Sequence, residues 1–366
     1  MSDTGGGHRA SANAIRDALN VLHPGKFQCD IVDIYTDYGP FFPYDSYVPL
    51  YKVMAEYSFL WDWFYHFGCT PFGLWLNEFC LEAFCFDPFK VCMERDGCGS
   101  GRRADMVVSV HPLCQDIPLK ILTSLDTGGK SRTKGRTTPF VTVVTDLGGA
   151  HPTWFNPGVN KCFVPSDALY QAARDRKVEP SQIVQHGLPI RQGFWSGQKG
   201  EAKKGTTTTT MTTGQQNAKK GWFGGFFGGG KKDEGAARSS GGGDDGNRAA
   251  LRDELGLAQG LPTVLIVGGG DGMGGIAEQA SALGSKLQAD AAEAGSDGPA
   301  FQMVVVCGKN EAAEKTLKAK TWGDGVKVDV KGFVYNMDEY MRASDAIVTK
   351  AGPGTIAEAS ICGLPC

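Results

Sequence analysis

A histidine directly after a run of glycines is the first feature of the sequence that could do chemistry. His8 follows Gly5, Gly6 and Gly7 and precedes a helical pattern that runs to Leu22. Glycines let the backbone turn tightly beside a bound group, and the start of the following helix presents amides and a partial positive charge. That field disfavours the protonated imidazole, so a neutral His8 can accept a proton. We predict a general base at His8, with Gly6 and Gly7 in contact with the bound acceptor; the alternative is a helix cap with a chance histidine.

A second glycine-rich segment, 268–275, follows the apolar run Thr263–Val267 and precedes another helical pattern. Strand, glycine turn and helix in this order are typical of a phosphate site. The segment lacks the Gly-Lys-Ser/Thr of a P-loop, and no acidic residue follows at the place usual for NAD binding. The predicted contacts to an anionic ligand are Gly269, Gly270, Asp271, Gly272 and Met273.

A third glycine turn comes after the apolar run Ala346–Thr349 and opens a further helix. Its predicted phosphate contacts are Gly352, Pro353, Gly354 and Thr355. Thr355 and Glu358 have the spacing of a capping box, in which side chains satisfy backbone amides. A glutamate there also faces a ligand at the helix start, so Glu358 is a candidate acceptor for vicinal ribose hydroxyls, and the two roles are compatible.

Two more groups of residues lie where strands are predicted to end. Phe333 and Val334 follow a strand-end glycine, which suits recognition of a flat base and equally suits ordinary strand packing. In the first half of the chain the candidates are His111, Asp146, His151 and Trp154. Because ligands of open α/β sheets bind beyond the carboxyl ends of parallel strands, we expect these four to line a second binding region. A single histidine in such a loop would more often be structural.

The elements that position these residues alternate along the chain. Predicted strands are 29–34, 106–110, 140–145, 263–267, 302–307 and 346–349. Predicted helices are 10–22, 276–287, 311–318, 337–343 and 356–362. Continuous Val, Ile and Met runs are typical of parallel strands covered on both faces. The sequence therefore predicts an α/β fold with parallel sheets.

Composition divides the chain into an N-terminal domain at 1–192, a low-complexity flexible insertion at 193–248 and a C-terminal domain at 249–366. The insertion holds a threonine run, lysines and Gly-Trp-Phe-Gly-Gly-Phe-Phe, which cannot form a packed core. We also expect that a first strand before Met1 and the last part of the second domain after Cys366 are missing from the sequence.

The overall composition limits the possible partners. A net charge of −3 over 366 residues gives no case for nucleic-acid binding. The 11 cysteines lack the paired spacing of a zinc site and are interpreted as reduced thiols. No apolar run reaches the roughly 18 residues of a spanning helix, so any membrane contact is expected to be peripheral.

Two segments are candidates for that membrane contact. Residues 41–89 are dense in Trp, Phe and Tyr, which either pack in a core or lie at a lipid interface. The lysines and aromatics of 193–248 could touch an anionic membrane surface, although a plain disordered insertion is the simpler interpretation.

Taken together, these segments resemble the monogalactosyldiacylglycerol synthase family, the plastid galactolipid synthases. The most specific matching stretches are 1–12, which contains the glycines and His8, 145–155 and 349–359. Weaker stretches, including 108–113, 187–191, 268–274, 307–310 and 331–333, are shared with bacterial diacylglycerol glucosyltransferases. The resemblance covers the full length except for 193–248 and a smaller insertion at 127–138.

The resemblance implies a GT-B fold, two Rossmann-like domains facing across a cleft, and inverting transfer of galactose from UDP-galactose to 1,2-diacylglycerol. It assigns His8 as the base, Arg191 to the diphosphate, Phe333 and Val334 to uracil, and Glu358 to ribose. No metal or other cofactor is expected, since no Asp-x-Asp pair is present. Peripheral association with the plastid envelope is implied. A diacylglycerol glucosyltransferase and an inactive UDP- or lipid-binding remnant remain as alternatives.

Overall fold

Two parallel four-stranded sheets organise the molecule. The computed structural model describes residues 1–3, 6–195, 244–270, 275–350 and 352–366. The first sheet has the order β1-β2-β3-β4 and the second the order β7-β6-β5-β8, and every strand pair in both is parallel. The predicted α/β class with parallel sheets is therefore confirmed.

The first sheet and the helices around it occupy the N-terminal half. Its strands are β1 Val107–Ser109, β2 Phe140–Val143, β3 Lys161–Val164 and β4 Ile183–Gln185. Its helices are α1 Gly7–Leu22, α2 Ile34–Tyr38, α3 Tyr47–Glu56, α4 Ser58–Cys69, α5 Pro71–Cys80, α6 Phe86–Glu94, α7 Asp116–Asp126 and α8 Asp167–Asp175. A π-helical turn at Leu81–Cys85 joins α5 to α6, and short 3₁₀ turns lie at Pro152–Trp154 and Gln192–Phe194.

The second sheet belongs to the C-terminal half. Its strands are β5 Thr263–Val267, β6 Phe301–Val306, β7 Val326–Lys331 and β8 Ala346–Thr349. The helices are α9 Asp244–Glu254, α10 Ile276–Glu293, α11 Glu311–Ala319, α12 Met337–Ala343 and α13 Pro353–Ile361. Alternate residues of β5 and β6 enter different cores, with Leu265 and Val304 in one and Ile266 and Val305 in the other. Burial on both faces explains why these strands are almost wholly apolar.

The predicted strand at 29–34 is not formed. Ile34 instead begins α2, and the Asp33 carboxylate accepts hydrogen bonds from amides of that helix's first turn. The backbone nearby pairs with Met1, whose carbonyl accepts from the Ile34 amide at 3.0 Å and whose ammonium donates to the Val32 carbonyl at 3.0 Å. Capping by Asp33 thus favours a helix start where the apolar run alone predicted a strand.

The ends of the predicted insertion at 193–248 are regular structure. Phe194 is buried in the core of the second sheet, with Ile190 packed against it, and α9 begins at Asp244. The remainder, 196–243, lies outside the described residues, and so does its predicted membrane contact. The division into domains stays a prediction.

Helix α1 joins the two halves. It contacts both α13 and the 3₁₀ turn at Gln192–Phe194. The start of α1 carries His8, and α13 carries Glu358, so the candidate residues of the two halves lie on helices that touch.

Among the described residues, no helix combines the length and the apolar character required to cross a membrane. All 11 cysteines lie within the described ranges, and none of them forms a disulfide.

Candidate active site

His8 lies in the first turn of α1, directly against the end of β2. Gly6 is the N-cap residue of α1 and has φ 71°, a left-handed conformation that favours glycine. Gly7 is the first helical residue, so the helix begins three residues earlier than the periodicity predicted. His8 Nδ1 lies 3.1 Å from the Thr145 hydroxyl, and this contact joins the glycine turn to the sheet.

The environment of His8 favours the neutral imidazole. The pKa of His8 is lowered from 6.5 to about 4, chiefly by burial. The Met1 ammonium acts in the same direction, while a hydrogen bond with the Val110 backbone and the Asp3 carboxylate oppose it. At neutral pH the ring is uncharged and keeps a lone pair on one nitrogen. A proton acceptor at this position was predicted from the glycine turn, and its catalytic role stays a prediction.

His111 lies directly behind His8. The two rings meet edge to face with centroids 4.5 Å apart. His111 is buried, and its Nδ1 accepts a hydrogen bond from the Leu113 amide at 3.2 Å. Burial, followed by the proximity of His8, holds the pKa of His111 well below its ordinary value. A buried ring makes His111 a support for His8 in this conformation, and direct contact with a ligand stays a prediction.

Asp146 and Trp154 form a hydrogen-bonded pair beside His8. Trp154 Nε1 donates to Asp146 Oδ2 at 2.7 Å, and the Trp154 ring lies 6.1 Å from the His8 ring. Trp154 has no exposed surface, so in this conformation it orients Asp146 from within the core. Burial raises the pKa of Asp146 while the Trp154 hydrogen bond opposes that change. Asp146 is half-buried and is the member of the pair that can reach a ligand.

His151 connects this region to the aromatic helices. Its Nδ1 lies 2.8 Å from the Thr153 hydroxyl, which fixes the turn, and its ring meets Tyr65 of α4 at 5.4 Å. A side-chain carbon at Gly68 would come within 3.2 Å of His151 Nε2, so α4 packs closely on this ring. Burial, and then Arg176, lower the pKa of His151 to about 4.

The glycine segment after β5 packs against the loop after β6. The Lys309 amide donates to the Gly270 carbonyl at 3.1 Å. Gly308 has φ 60°, and a side-chain carbon there would lie 2.6 Å from the same carbonyl oxygen, so both conformation and space require glycine. Gly269 also has a positive φ, of 75°. The predicted contacts Asp271, Gly272 and Met273 lie outside the described residues.

The predicted capping box at Thr355 and Glu358 is wrong. Helix α13 begins at Pro353 with Gly352 as its N-cap, and no side chain caps it. Thr355 is therefore already the third helical residue, because a proline with its fixed φ and missing N–H starts the helix earlier. Gly354 follows Pro353 in the first turn, and the amides there remain available to an anion.

Glu358 instead pairs with Arg191. Arg191 Nε donates to Glu358 Oε1 at 2.6 Å, and a terminal guanidinium nitrogen donates to Oε2 at 2.5 Å. The Glu358 side chain is 7% exposed and that of Arg191 is 38% exposed. The resemblance assigned both residues to the same nucleotide, and the structure brings them into direct contact.

Phe333 and Val334 lie just beyond the end of β7. Phe333 is exposed and meets the Tyr335 ring at 5.1 Å, while Val334 packs partly against the core of the second sheet. An exposed ring next to a half-buried aliphatic residue is compatible with base recognition, which stays a prediction.

Helices α4 and α5 expose a continuous row of rings. Successive centroids along Trp63, Phe67, Phe72, Trp75 and Phe79 lie 5.6, 6.2, 5.8 and 5.7 Å apart. We call these five residues the aromatic face. Four of them have 56–65% of their surface exposed, so core packing does not account for the aromatics here. Exposed apolar patches of this kind mark interaction sites.

Two family models match the chain. The model described as "Monogalactosyldiacylglycerol (MGDG) synthase" matches residues 8–190, and that described as "Glycosyltransferase family 28 C-terminal domain" matches residues 263–366. The chain belongs to the monogalactosyldiacylglycerol synthase family. The glycosyltransferase match and the two parallel sheets confirm the GT-B α/β fold.

Similar proteins carry the same family name. The chain is 36% identical over 366 residues to "Probable monogalactosyldiacylglycerol synthase 2, chloroplastic" of Oryza sativa subsp. indica. It is 34% identical over 365 residues to "Monogalactosyldiacylglycerol synthase 3, chloroplastic" of Arabidopsis thaliana, and 34% identical over 367 residues to "Monogalactosyldiacylglycerol synthase, chloroplastic" of Spinacia oleracea. All of the chain is covered in each case, and it spans 64%, 64% and 57% of the three relatives.

Two contacts of this candidate site were not predicted from the sequence. Thr145 is the polar residue at the end of the predicted strand 140–145, and that position was the available signal for its contact with His8. The pairing of Arg191 with Glu358 joins residues 167 positions apart, and no local pattern indicates it.

Proposed function

We propose that this protein transfers galactose from UDP-galactose to the free hydroxyl of 1,2-diacylglycerol with inversion. The observation that carries the proposal is the position of His8 at the start of α1, against Thr145 and His111, on a helix that touches α13. A GT-B fold binds donor and acceptor from opposite halves, and these two helix starts supply a base on one side and an anion site on the other. Membership of the family supports the same reaction.

The reaction needs a base on one side of the sugar and charge stabilisation on the other. The diacylglycerol hydroxyl oxygen forms a bond to the anomeric carbon of galactose while the bond from that carbon to UDP breaks. The hydroxyl proton goes to His8, and the electron pair of the broken bond leaves with UDP. If His8 Nδ1 donates to the Thr145 hydroxyl, the lone pair lies on Nε2, which is then the accepting atom.

Backbone amides meet the charge that grows on UDP. The first turn of α13, at Gly352 to Thr355, where Gly354 and Thr355 supply the amides, and the glycine segment around Gly269 and Gly270 are the proposed diphosphate contacts. The exposed ring of Phe333 and the backbone of Val334 are proposed to hold the uracil. Such contacts require no metal ion, and we propose a metal-independent reaction, which activity retained in EDTA would support.

The acceptor is proposed to reach His8 from a membrane. Diacylglycerol stays in the lipid phase, and the aromatic face lies on α4 and α5, of which α4 packs on His151 of the proposed acceptor region. Exposed Trp and Phe rings suit the interfacial zone of a bilayer. Lys120 of α7 pairs with Glu78 of α5 at 2.7 Å and with Glu82 of the π-helical turn at 2.6 Å, and so joins both to α7. Peripheral binding to anionic lipid in a plastid membrane is proposed, in keeping with the "chloroplastic" names of the relatives.

The product of a donor competition tests this function. The purified protein is mixed with diacylglycerol vesicles and equal UDP-galactose and UDP-glucose, and the lipid product is identified by mass spectrometry and hexose analysis. We expect β-galactosyl-diacylglycerol. A glucosyl product would contradict the proposed donor, and no product with UDP still bound would favour a binding remnant.

A further inference from the structure

Arg191 and Glu358, the two side chains that the resemblance assigns to the nucleotide, are bound to each other. Both oxygens of the Glu358 carboxylate accept from the Arg191 guanidinium, at 2.6 and 2.5 Å. Glu358 is nearly fully buried, and Arg191 closes over it from the segment that connects the two sheets. The guanidinium carbon also lies 5.3 Å from the ring centre of Phe194, which belongs to the core of the second sheet. Arg191 is therefore anchored on the C-terminal half.

Such a pair leaves the carboxylate able to bind a diol. A carboxylate offers about four acceptor positions on its two oxygens, and the arginine fork uses one on each. One position on each oxygen remains, which matches the two vicinal hydroxyls of a ribose. The planar fork also fixes the plane of the carboxylate, which a lysine or a water does not. Without the arginine, a buried carboxylate would lose its orientation and its charge compensation.

We propose that Arg191 is a positioning residue for ribose recognition, and that it acts on the donor through Glu358. The assignment by resemblance placed Arg191 at the diphosphate. The inference rests on the proposed function, because it presumes that UDP binds between β7 and α13. On this proposal, the Arg191–Glu358 ion pair forms before the nucleotide binds and makes the site selective for a ribonucleotide.

Calorimetric affinities of three probes test the inference: UDP, 2′-deoxy-UDP and uridine. The unaltered protein should prefer UDP over 2′-deoxy-UDP by about tenfold or more, as expected for a hydrogen bond to a charged group. Arg191→Lys should remove most of that preference and weaken UDP and uridine by the same factor. Glu358→Gln should do likewise, and the double variant should lose little more than either single one.

A second arginine–carboxylate pair provides a matched control for the Arg191 variants. Arg103 forms a similar pair with the buried Asp126 at 2.7 Å, in the other half of the molecule. Arg103→Lys should leave the ratio of the UDP and 2′-deoxy-UDP affinities unchanged. Cooperative thermal unfolding checks each fold, and Arg191→Gln replaces Arg191→Lys if the lysine variant fails this check.

Two different results would overturn the inference and are distinguishable. If Arg191→Lys weakens UDP, leaves uridine unchanged and keeps the ribose preference, Arg191 contacts the diphosphate and the proposed function stands. If the unaltered protein binds none of the three probes, the proposed function itself fails, and the inference fails with it.

Discussion

The two halves of the candidate site differ in the charge of their central side chains. The His8 ring contacts the His111 ring and the Thr145 hydroxyl, and burial lowers the pKa of both imidazoles. Around Glu358 the contact is a full ion pair between a buried carboxylate and a guanidinium. An uncharged alcohol needs a base with a lone pair, whereas a nucleotide diphosphate needs fixed dipoles and charges. The difference teaches that an uncharged imidazole lies in the half proposed to bind the neutral alcohol, and that the ion pair between Arg191 and the buried Glu358 lies in the half proposed to bind the nucleotide.

Removal of the base should give the largest loss of activity, and this loss should leave nucleotide binding unchanged. His8→Ala is expected to lower the transfer rate by about a hundredfold or more, since a positioned base contributes at least that much. UDP affinity should stay within about twofold, because His8 belongs to the other half. The measurement is initial rate on diacylglycerol vesicles, together with UDP calorimetry. His23→Ala, at the exposed end of α1, is the control; equal loss of rate and UDP affinity in His8→Ala would contradict the separation of the halves.

Loss of the aromatic face should impair access to the acceptor without touching the donor half. Trp63→Ser combined with Trp75→Ser is expected to lower vesicle binding and vesicle activity by about tenfold, since two exposed rings no longer enter the interface. Activity on detergent-dispersed diacylglycerol should fall much less, and the melting temperature should hardly change. Ile361→Ser, an exposed apolar site on α13, is the control. A parallel loss on vesicles and in detergent would mean that the rings serve the fold.

Two variants of Thr145 should show whether His8 depends on the hydroxyl group of this residue or on the shape of its side chain. Thr145→Val keeps the shape but removes the partner of His8 Nδ1, and we expect a loss of about tenfold in kcat with a shifted acid limb of the pH profile. Thr145→Ser keeps the hydroxyl and should retain most of the activity. Equal losses in the two variants would show that packing, and not the hydrogen bond, matters at this position.

The three imidazoles of the proposed acceptor half should also affect the pH dependence of stability. The pKa values of His8 and His151 are lowered from 6.5 to about 4 and that of His111 is lowered well below 6.5, so their contribution is fully present above pH 6.5. It is lost as the pH falls from 6.5 towards 4, because the unfolded chain binds these protons first. We expect the free energy of unfolding to fall in that window by on the order of 1 kcal/mol per histidine. Urea titrations at several pH values measure it.

His151→Gln removes one of these groups and provides the comparison. The decrease between pH 6.5 and 4 should be smaller in this variant than in the unaltered protein. A decrease confined to pH below 4, where carboxylates titrate, would contradict the assignment to histidines.

The sequence predicted the parts of the fold that have strong local patterns. The apolar run at 263–267 coincides with β5 at both ends, and four of its five positions are buried. The strands β3 and β4 were missed because they have only four and three residues, and because β3 begins at the exposed Lys161 and β4 ends at the exposed Gln185. Strand β7 was recognised only at its end, because lysines and an aspartate interrupt its valines.

The candidate site divides in the same way. The glycine turn with His8 could be predicted because the helix start and its glycines are contiguous in sequence. The burial of Trp154 and the pairing of Arg191 with Glu358 could not, because both depend on how distant segments pack. The start of α13 at Pro353 also outweighed the capping-box spacing, since proline preorganises a helix start.

The central claim is that a neutral His8 serves as the base in the acceptor half. The most direct measurement is an NMR titration of its imidazole in the folded protein, assigned by comparison with the His8→Ala variant. A midpoint near pH 4, matched by the acid limb of kcat/KM for galactosyl transfer, is the predicted result. A midpoint at 6.5 or above, or an acid limb that does not follow the titration, would contradict it.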